Sequence, residues 1–289
     1  MIKIIKYFFQ SIIIYFFFFI IKVTGLKLAR SFFSYLFNKI GPLIRSDHII
    51  SENLNKFMSI YNEEEKKNIK LKMWSNYGKT FVEYLFLKKF RNNNSHIKIK
   101  GEHILSEIIK TNKPVIFVSG HFANFELMSM ELTKRNIKLA TIYRPLNNLF
   151  LNPFMEHVRR TYVCKNQIKK GLAGVKSAIN YIQKNFSIAL MVDQRVSEGK
   201  RLPFFDNMAL TTTLPAQLAI KYQLDIVPIY IARKENDDFE MEIYKPIKIA
   251  DVKDVETNRL DLTIELNKIT EKMISKDPGQ WIWTHNRWK

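Results

Sequence analysis

The residues best placed to do chemistry are His121 and Glu126, within Val118-Ser-Gly-His-Phe-Ala-Asn-Phe-Glu126. A histidine oriented by a carboxylate is the usual apparatus for taking a proton from a hydroxyl. The carboxylate fixes the imidazole tautomer and steadies the imidazolium as it forms. On an uninterrupted helix five residues turn the chain by roughly 500°, leaving the two side chains about 140° apart. They can meet only if His121 stays in a turn, or at the first helical position, while Glu126 enters the helix. Ser119-Gly120 supplies flexible backbone for such a junction, and a helix start offers unpaired N–H groups that stabilise negative charge. No serine nucleophile elbow accompanies the pair, so the attacking hydroxyl belongs to a substrate. Spacing alone is weak, since His-x4-Glu arises by chance in many proteins whose histidine is structural.

The elements that must position this pair follow from the apolar runs. Val115 to Val118 reads as a buried strand bounded by Lys113-Pro114 and Ser119-Gly120. Leu139 to Tyr143 and Ile188 to Val192 read as further strands. Ile226 to Ala232 is apolar enough for a central strand, although Pro228 moves it toward an edge. Phe239 to Ile243 and Ile247 to Ile249 alternate as half-exposed strands do. Helical stripes run through Ile69, Met73, Tyr77, Phe81, Tyr84 and Leu85, and through Leu172, Val175, Ile179 and Ile182; Leu214 to Tyr222 also reads as helix. Asn92 to Ser95 is a loop. This alternation predicts an α/β fold, a mixed sheet flanked by helices.

The N-terminus is of another kind. From Lys6 to Lys22 the chain is almost wholly aromatic and aliphatic, with Gln10 and Ser11 the clearly polar members. Lysines at both ends can snorkel to interfaces, and Val23 to Leu28 can lengthen the stretch toward the roughly 20 residues a spanning helix needs. A signal peptide fits less well, because no Ala-x-Ala cleavage site follows. Leu26 to Ile40 has the mixed basic and aromatic pattern of a helix resting on lipid headgroups. Residues 1–45 therefore read as a hydrophobic membrane-anchor helix with an interfacial helix, and 46–289 as one continuous domain. More basic residues follow the apolar stretch than precede it, which places the body on the cytoplasmic side.

Charge and cysteine content narrow the partners. With 46 Lys+Arg against 27 Asp+Glu, the formal charge of +19 favours anionic partners, yet it does not choose among nucleic acid, phosphorylated lipid, bilayer and acidic protein. The single cysteine, Cys164, excludes an internal disulfide and a cysteine-based zinc site; with no motif around it, it reads as a small buried hydrophobe.

Gly120-His-Phe-Ala-Asn-Phe-Glu126 closely resembles the motif of the late, lauroyl/myristoyl acyltransferases of lipid A synthesis, within the wider His-x4-Asp/Glu glycerolipid acyltransferases. Further blocks resemble that family in order: Tyr143-Arg-Pro-Leu-Asn147; Asp193-Gln194 with Gly199-Lys-Arg-Leu-Pro-Phe-Phe205 and Ala209-Leu-Thr-Thr-Thr213; and the closing Pro278 to Lys289. One departure is Asp206, where family members usually carry glycine after the paired phenylalanines. The resemblance implies acyl transfer from an acyl carrier protein thioester to a hydroxyl of a phosphorylated lipid A precursor, at the cytoplasmic side of the inner membrane. His121 is then the base and Glu126 its orienting carboxylate. Asn124, Arg144, Arg159, Arg160, Asp193 and Gln194 are implied substrate-binding positions, with Arg159 and Arg160 equal candidates for one role. No metal, cofactor or nucleic acid is implied.

Blander readings stand beside several of these. Asp193 follows a strand, where either a site residue or a turn cap belongs. Trp281, Trp283 and Trp288 read as a packed terminal segment, and His285 as a core or interface histidine. His48, His96, His103 and His157 lack metal-ligand spacing. Rival functions are acyl transfer to another lipid (a lysophospholipid, an ornithine-type lipid or a glycolipid) and non-catalytic binding by a basic, membrane-tethered protein.

Overall fold

The computed structural model describes residues 2–57, 62–249 and 255–289. The chain begins with α1 (Ile2–Thr24), α2 (Leu26–Ile44) and α3 (Asp47–Phe57), followed by α4 (Glu63–Glu83) and α5 (Leu87–Asn92). There follow β1 (Ile97–Lys100), α6 (Glu102–Thr111), β2 (Ile116–Ser119), α7 (Glu126–Lys134) and β3 (Leu139–Tyr143). Next come α8 (Asn152–Val158), a π-helical turn at Arg159–Val163, β4 (Asn166–Lys169), α9 (Leu172–Gln183) and β5 (Ser187–Met191). The hairpin β6 (Lys200–Phe204) and β7 (Asn207–Thr211) precedes α10 (Leu214–Tyr222), β8 (Ile226–Arg233), β9 (Phe239–Ile243) and α11 (Val255–Lys276).

Among the described residues, the main sheet has seven strands in the order β1-β9-β8-β2-β5-β3-β4. β8, β2, β5, β3 and β4 are mutually parallel, while β9 runs antiparallel to β8 and carries β1 parallel to itself. The sheet is therefore mixed, as the sequence predicts. Its two faces bury separate apolar layers. One includes Phe117, Leu127, Met130, Leu139, Ala189 and Val227; the other includes Ile116, Val118, Ala178, Ile188, Leu190 and Ala219. Alternate residues of β2 and β5 fall in opposite layers, as the two-residue strand period requires.

Two strand expectations fail. Pro228 does not put β8 at an edge, because β8 lies between β9 and β2. The proline is tolerated at a seam: pairing to β2 ends at Val118–Pro228 and pairing to β9 begins at Ile229–Ile243. Its carbonyl accepts from the Tyr244 N–H at 3.0 Å. Ile247 to Ile249 is not a strand, since only Ile247 forms a bridge, to Ile226.

α1 is 23 residues of mean hydropathy 2.1 over its most apolar stretch, about 34 Å long at 1.5 Å per residue. It is long and apolar enough to cross a membrane. Most of its apolar side chains, among them Phe9, Ile13, Phe16 and Phe19, are exposed, while Phe18 and Ile21 pack on the body with Phe33 and Val82. α2 crosses α4 so closely that a Cβ on Gly78 would lie 2.2 Å from the Phe33 carbonyl oxygen. α4 begins with a capping box in which the Asn62 side chain and Glu65 satisfy each other's backbone N–H groups.

Candidate active site

β2 and β5 are neighbours in parallel register, with Ser119 opposite Met191. Two residues beyond each of these partners stand His121 and Asp193, so equal offsets bring both to the same edge of the sheet. There His121 Nδ1 lies 2.8 Å from Asp193 Oδ1, and the His121 backbone N–H donates to Oδ2 at 2.9 Å. Trp281 Nε1 donates to the same Oδ2 at 2.8 Å. Asp193 is fully buried. Burial alone would raise its pKa, but His121 and the hydrogen bonds from His121 and Trp281 outweigh it and hold the carboxyl at about 2. An ionised carboxylate accepts and cannot donate, so Nδ1 carries the proton and Nε2 is left as the basic nitrogen.

Glu126 is the first residue of α7 and His121 lies in the preceding turn, the straddled arrangement the spacing requires. The chain reverses between them at Ala123, whose φ of 44° is left-handed. Two contacts hold this conformation: the Ala123 N–H donates to the Gln280 carbonyl at 3.1 Å, and its carbonyl accepts from Thr80 Oγ1 at 3.2 Å. Gly120 is required at the turn, because a Cβ there would fall 2.7 Å from the Phe122 ring.

The carboxylate hydrogen-bonded to His121 is thus Asp193, and the expectation that Glu126 fills that place is corrected. Glu126 Oε1 instead accepts from Tyr84 Oη at 2.8 Å and from Arg159 at 2.7 Å through Nε and 2.6 Å through Nη2. The reason is local. Arg159 projects from the π-helical turn with its guanidinium in reach of the α7 start, where it makes a charge-assisted pair with the Glu126 carboxylate. Burial opposes the Arg159 charge, but Glu126 and Tyr84 more than offset it, so its pKa is raised. Burial first, then Glu126, pushes the Tyr84 hydroxyl above its ordinary range.

His121 and Glu126 share a cleft of about 480 Å³ with Arg144, Arg159 and Gln194, and with Met128, Val163, Ala189 and Leu190 along its apolar side. Arg159 and Arg160 are the first two residues of the π-helical turn but serve different hollows: Arg159 lines the cleft, while Arg160 is exposed and lines a different hollow beside Arg91 and Cys164. Asn124 lies behind the cleft, 1% exposed, donating to Glu83 Oε2 at 2.9 Å. Glu83, itself fully buried, also takes Arg30 at 2.8 Å and Arg233. Asn124 and Asp193 are therefore buried supports of the site, whereas Arg144, Arg159 and Gln194 reach its surface.

Trp281, Trp283 and Trp288 are buried together. His285 lines the cleft, and its Nε2 accepts the Arg195 backbone N–H at 2.9 Å. Burial pushes its pKa down to about 4, so it is neutral with the proton on Nδ1. Cys164 is buried, its thiol pKa raised by desolvation. A larger hollow of about 540 Å³, between Lys56 and Phe205, has Glu52, Lys56 and Asp206 among its described lining residues and no histidine among them. Sequence reasoning passed over Tyr84, Arg195 and Arg45 in this site. Arg195 follows Asp193-Gln194 directly, which is a usable signal; Arg45 and Tyr84 belong to distant helices and give none.

The sequence model of the bacterial lipid A biosynthesis acyltransferases matches residues 2–289. Among curated proteins, the chain is 23% identical over 186 residues to lipid A biosynthesis acyltransferase 2 of Shigella flexneri, covering 64% of this chain and 58% of that protein. It is 24% identical over 196 residues to a lipid A biosynthesis acyltransferase of Haemophilus influenzae, covering 66% and 60%. Against the lipid A biosynthesis palmitoleoyltransferase of Escherichia coli K12 it is 23% identical over 269 residues, covering 88% and 84%. The chain thus spans about three fifths of the first two relatives. With the family's sequence model matched from residue 2 to residue 289, this chain belongs to the bacterial lipid A biosynthesis acyltransferases.

Proposed function

We propose that the protein transfers a fatty acyl group from an acyl carrier protein thioester to a hydroxyl of a phosphorylated lipid A precursor, with His121 as general base. The observation that carries this reading is the 2.8 Å contact from His121 Nδ1 to the buried, ionised Asp193, which leaves Nε2 basic beside a cleft. Nε2 takes the proton of the acceptor hydroxyl as its oxygen attacks the thioester carbonyl. The tetrahedral intermediate collapses by breaking the C–S bond, and the imidazolium returns its proton to the departing thiolate. An ester and a free thiol result. Asp193 stabilises the imidazolium through both halves. Glu126, with Tyr84, holds Arg159 charged at the cleft wall, where a guanidinium suits an oxyanion or a substrate anion. The apolar side of the cleft suits the acyl chain.

α1 serves as the anchor, with residues 1–45 on the membrane and 46–289 as the catalytic body. Its length, its hydropathy and its exposed aromatic face support this. Basic residues after the apolar stretch favour an inner-membrane protein with its body in the cytoplasm.

The test is an assay of the full chain in detergent, with acyl carrier protein thioester and lipid A precursor, read by mass spectrometry. The expected product is the precursor plus one acyl chain, lost in His121→Ala. Acylation of a lysophospholipid or an ornithine lipid in preference to the precursor would move the reading to those acceptors. Transfer by His121→Ala at the wild-type rate would end the mechanism.

A further inference from the structure

The cleft gathers five cationic side chains from separate elements: Arg45, Arg144, Arg159, Lys170 and Arg195. Arg159 is engaged by Glu126. Among the described residues, Glu126 is the one carboxylate in the cleft lining. The other four cations have no carboxylate partner among the described residues, and Arg195 Nε is buried with no hydrogen-bond partner at all. A buried guanidinium nitrogen left unpaired is unfavourable unless something completes it. Arg195 is not there by slack packing, because its backbone N–H is pinned to His285 Nε2 at 2.9 Å.

Arg144 and Lys170 immediately follow β3 and β4, and Arg195 comes four residues after the end of β5, all at one edge of the parallel sheet. Lys170 is drawn in by its N–H, which donates to the Tyr143 carbonyl at 2.8 Å. Arg45 caps the C-terminal end of α2, next to the exposed Leu43 and Ile44. The loop after Arg144 is tied to the apolar helix α1: Ser11 Oγ donates to Asn148 Oδ1 at 3.0 Å, and Tyr15 Oη donates to the Phe150 carbonyl at 3.0 Å. Leu146 and Leu149 of that loop are exposed. Two of the four cations are therefore carried by segments joined to, or continuous with, the apolar helices, which is where a lipid headgroup meets the protein and a soluble donor does not.

We infer that Arg195, with Arg45, Arg144 and Lys170, forms the recognition site for a phosphate group of the lipid acceptor. The inference rests on the acyl-transfer reading above and goes beyond it by assigning the residues that select a phosphorylated acceptor. Arginine forks suit phosphate oxygens, and four cations from four elements can surround one anion in a way a single strand cannot. His285 is a positioning residue for Arg195: neutral, it accepts the N–H that fixes the loop.

The experiment compares phosphorylated lipid A precursor with the same lipid after phosphatase treatment, using full-length wild type, Arg195→Ala, Arg195→Lys and Arg45→Ala in detergent. Wild type is expected to prefer the phosphorylated acceptor by tenfold or more in kcat/KM. Arg195→Ala should erase most of that preference through acceptor KM, leave the KM for acyl carrier protein thioester unchanged, and be partly rescued in Arg195→Lys. Arg45 is exposed, so Arg45→Ala tests the same site without threatening the fold; it should weaken the preference severalfold. If the donor KM rises instead, the anion belongs to the donor's phosphopantetheine arm and the assignment is overturned. A phosphate preference unchanged in both alanine variants, or absent in wild type, overturns it as well. Wild type that acylates neither acceptor refutes the acyl-transfer reading itself, a different result from equal acylation of both.

Discussion

Asp193 grips His121 at two points, taking the ring Nδ1 on one carboxylate oxygen at 2.8 Å and the backbone N–H on the other at 2.9 Å. The ring is therefore fixed in tautomer and in rotation by one buried residue from the adjacent strand. Asp193→Asn keeps the shape and removes the charge. Its amide can present N–H where the imidazole N–H now points, forcing the wrong tautomer, and the imidazolium loses its counter-charge. We expect kcat to fall by about 10²–10⁴ with acceptor KM changed little. Steady-state kinetics check this, and a kcat within threefold of wild type removes Asp193 from the mechanism.

Glu126 and Arg159 form a second unit, and its independence from the His121–Asp193 unit is measurable. In a double-mutant cycle, Glu126→Gln and Arg159→Met should be strongly non-additive in kcat/KM, with a coupling of about 1–3 kcal/mol. Glu126→Gln and Asp193→Asn should be closer to additive. The reverse pattern, coupling to Asp193 and none to Arg159, would show that Glu126 acts on His121 in the working enzyme.

What could be read from the sequence, and what could not, divides along one physical line. The buried strands are legible because a strand covered on both faces is a near-continuous apolar run, and β3 falls where such a run predicts; β9 falls where Phe239 to Ile243 alternates. β1 (Ile-Lys-Ile-Lys) and β4 (Asn-Gln-Ile-Lys) are short edge strands with little apolar signal. The β6–β7 hairpin turns at Phe205 and Asp206, both left-handed at φ 48° and 56°. No glycine marks the turn; instead the Phe205 ring packs 4.8 Å from that of Phe57 and its N–H reaches Glu271 at 2.8 Å. His121 and Glu126 are conspicuous as a local motif. Which carboxylate touches the histidine depends on β2 and β5 being neighbours, and strand order is a non-local property that spacing does not encode.

Glu83 illustrates support at a distance. Its carboxylate is fully buried between Arg30 of α2 and Arg233 of β8, and it holds the Asn124 amide of the motif turn at 2.9 Å. Glu83→Ala leaves two buried guanidinium groups without their shared counter-charge. Breaking a buried pair from one side is destabilising by about 3–5 kcal/mol. Thermal unfolding should show a large drop in Tm, and the surviving folded fraction should bind acceptor with normal KM but turn over slowly. An unchanged Tm would mean that the cluster contributes nothing net.

His285 makes stability depend on pH in a stated direction. Burial depresses its pKa to about 4 in the folded chain, against about 6.5 when unfolded. Between those two values the unfolded chain binds more protons than the folded one, so stability rises with pH through that window and is lost on acidification below about 6.5. Protonation also destroys the acceptor that Nε2 offers to the Arg195 N–H. Moving from pH 7 to pH 5 should therefore weaken folding by about 1–2 kcal/mol through this group, after allowance for its partial solvent contact. His285→Gln can still accept that N–H but does not titrate, and it should flatten the slope. It will not abolish it, because burial also lowers the pKa of His96, which works in the same direction. Chemical denaturation of both proteins from pH 5 to pH 8 checks this. Equal slopes would show that His285 is protonated as readily folded as unfolded, and the neutral tautomer that positions Arg195 would be lost with it.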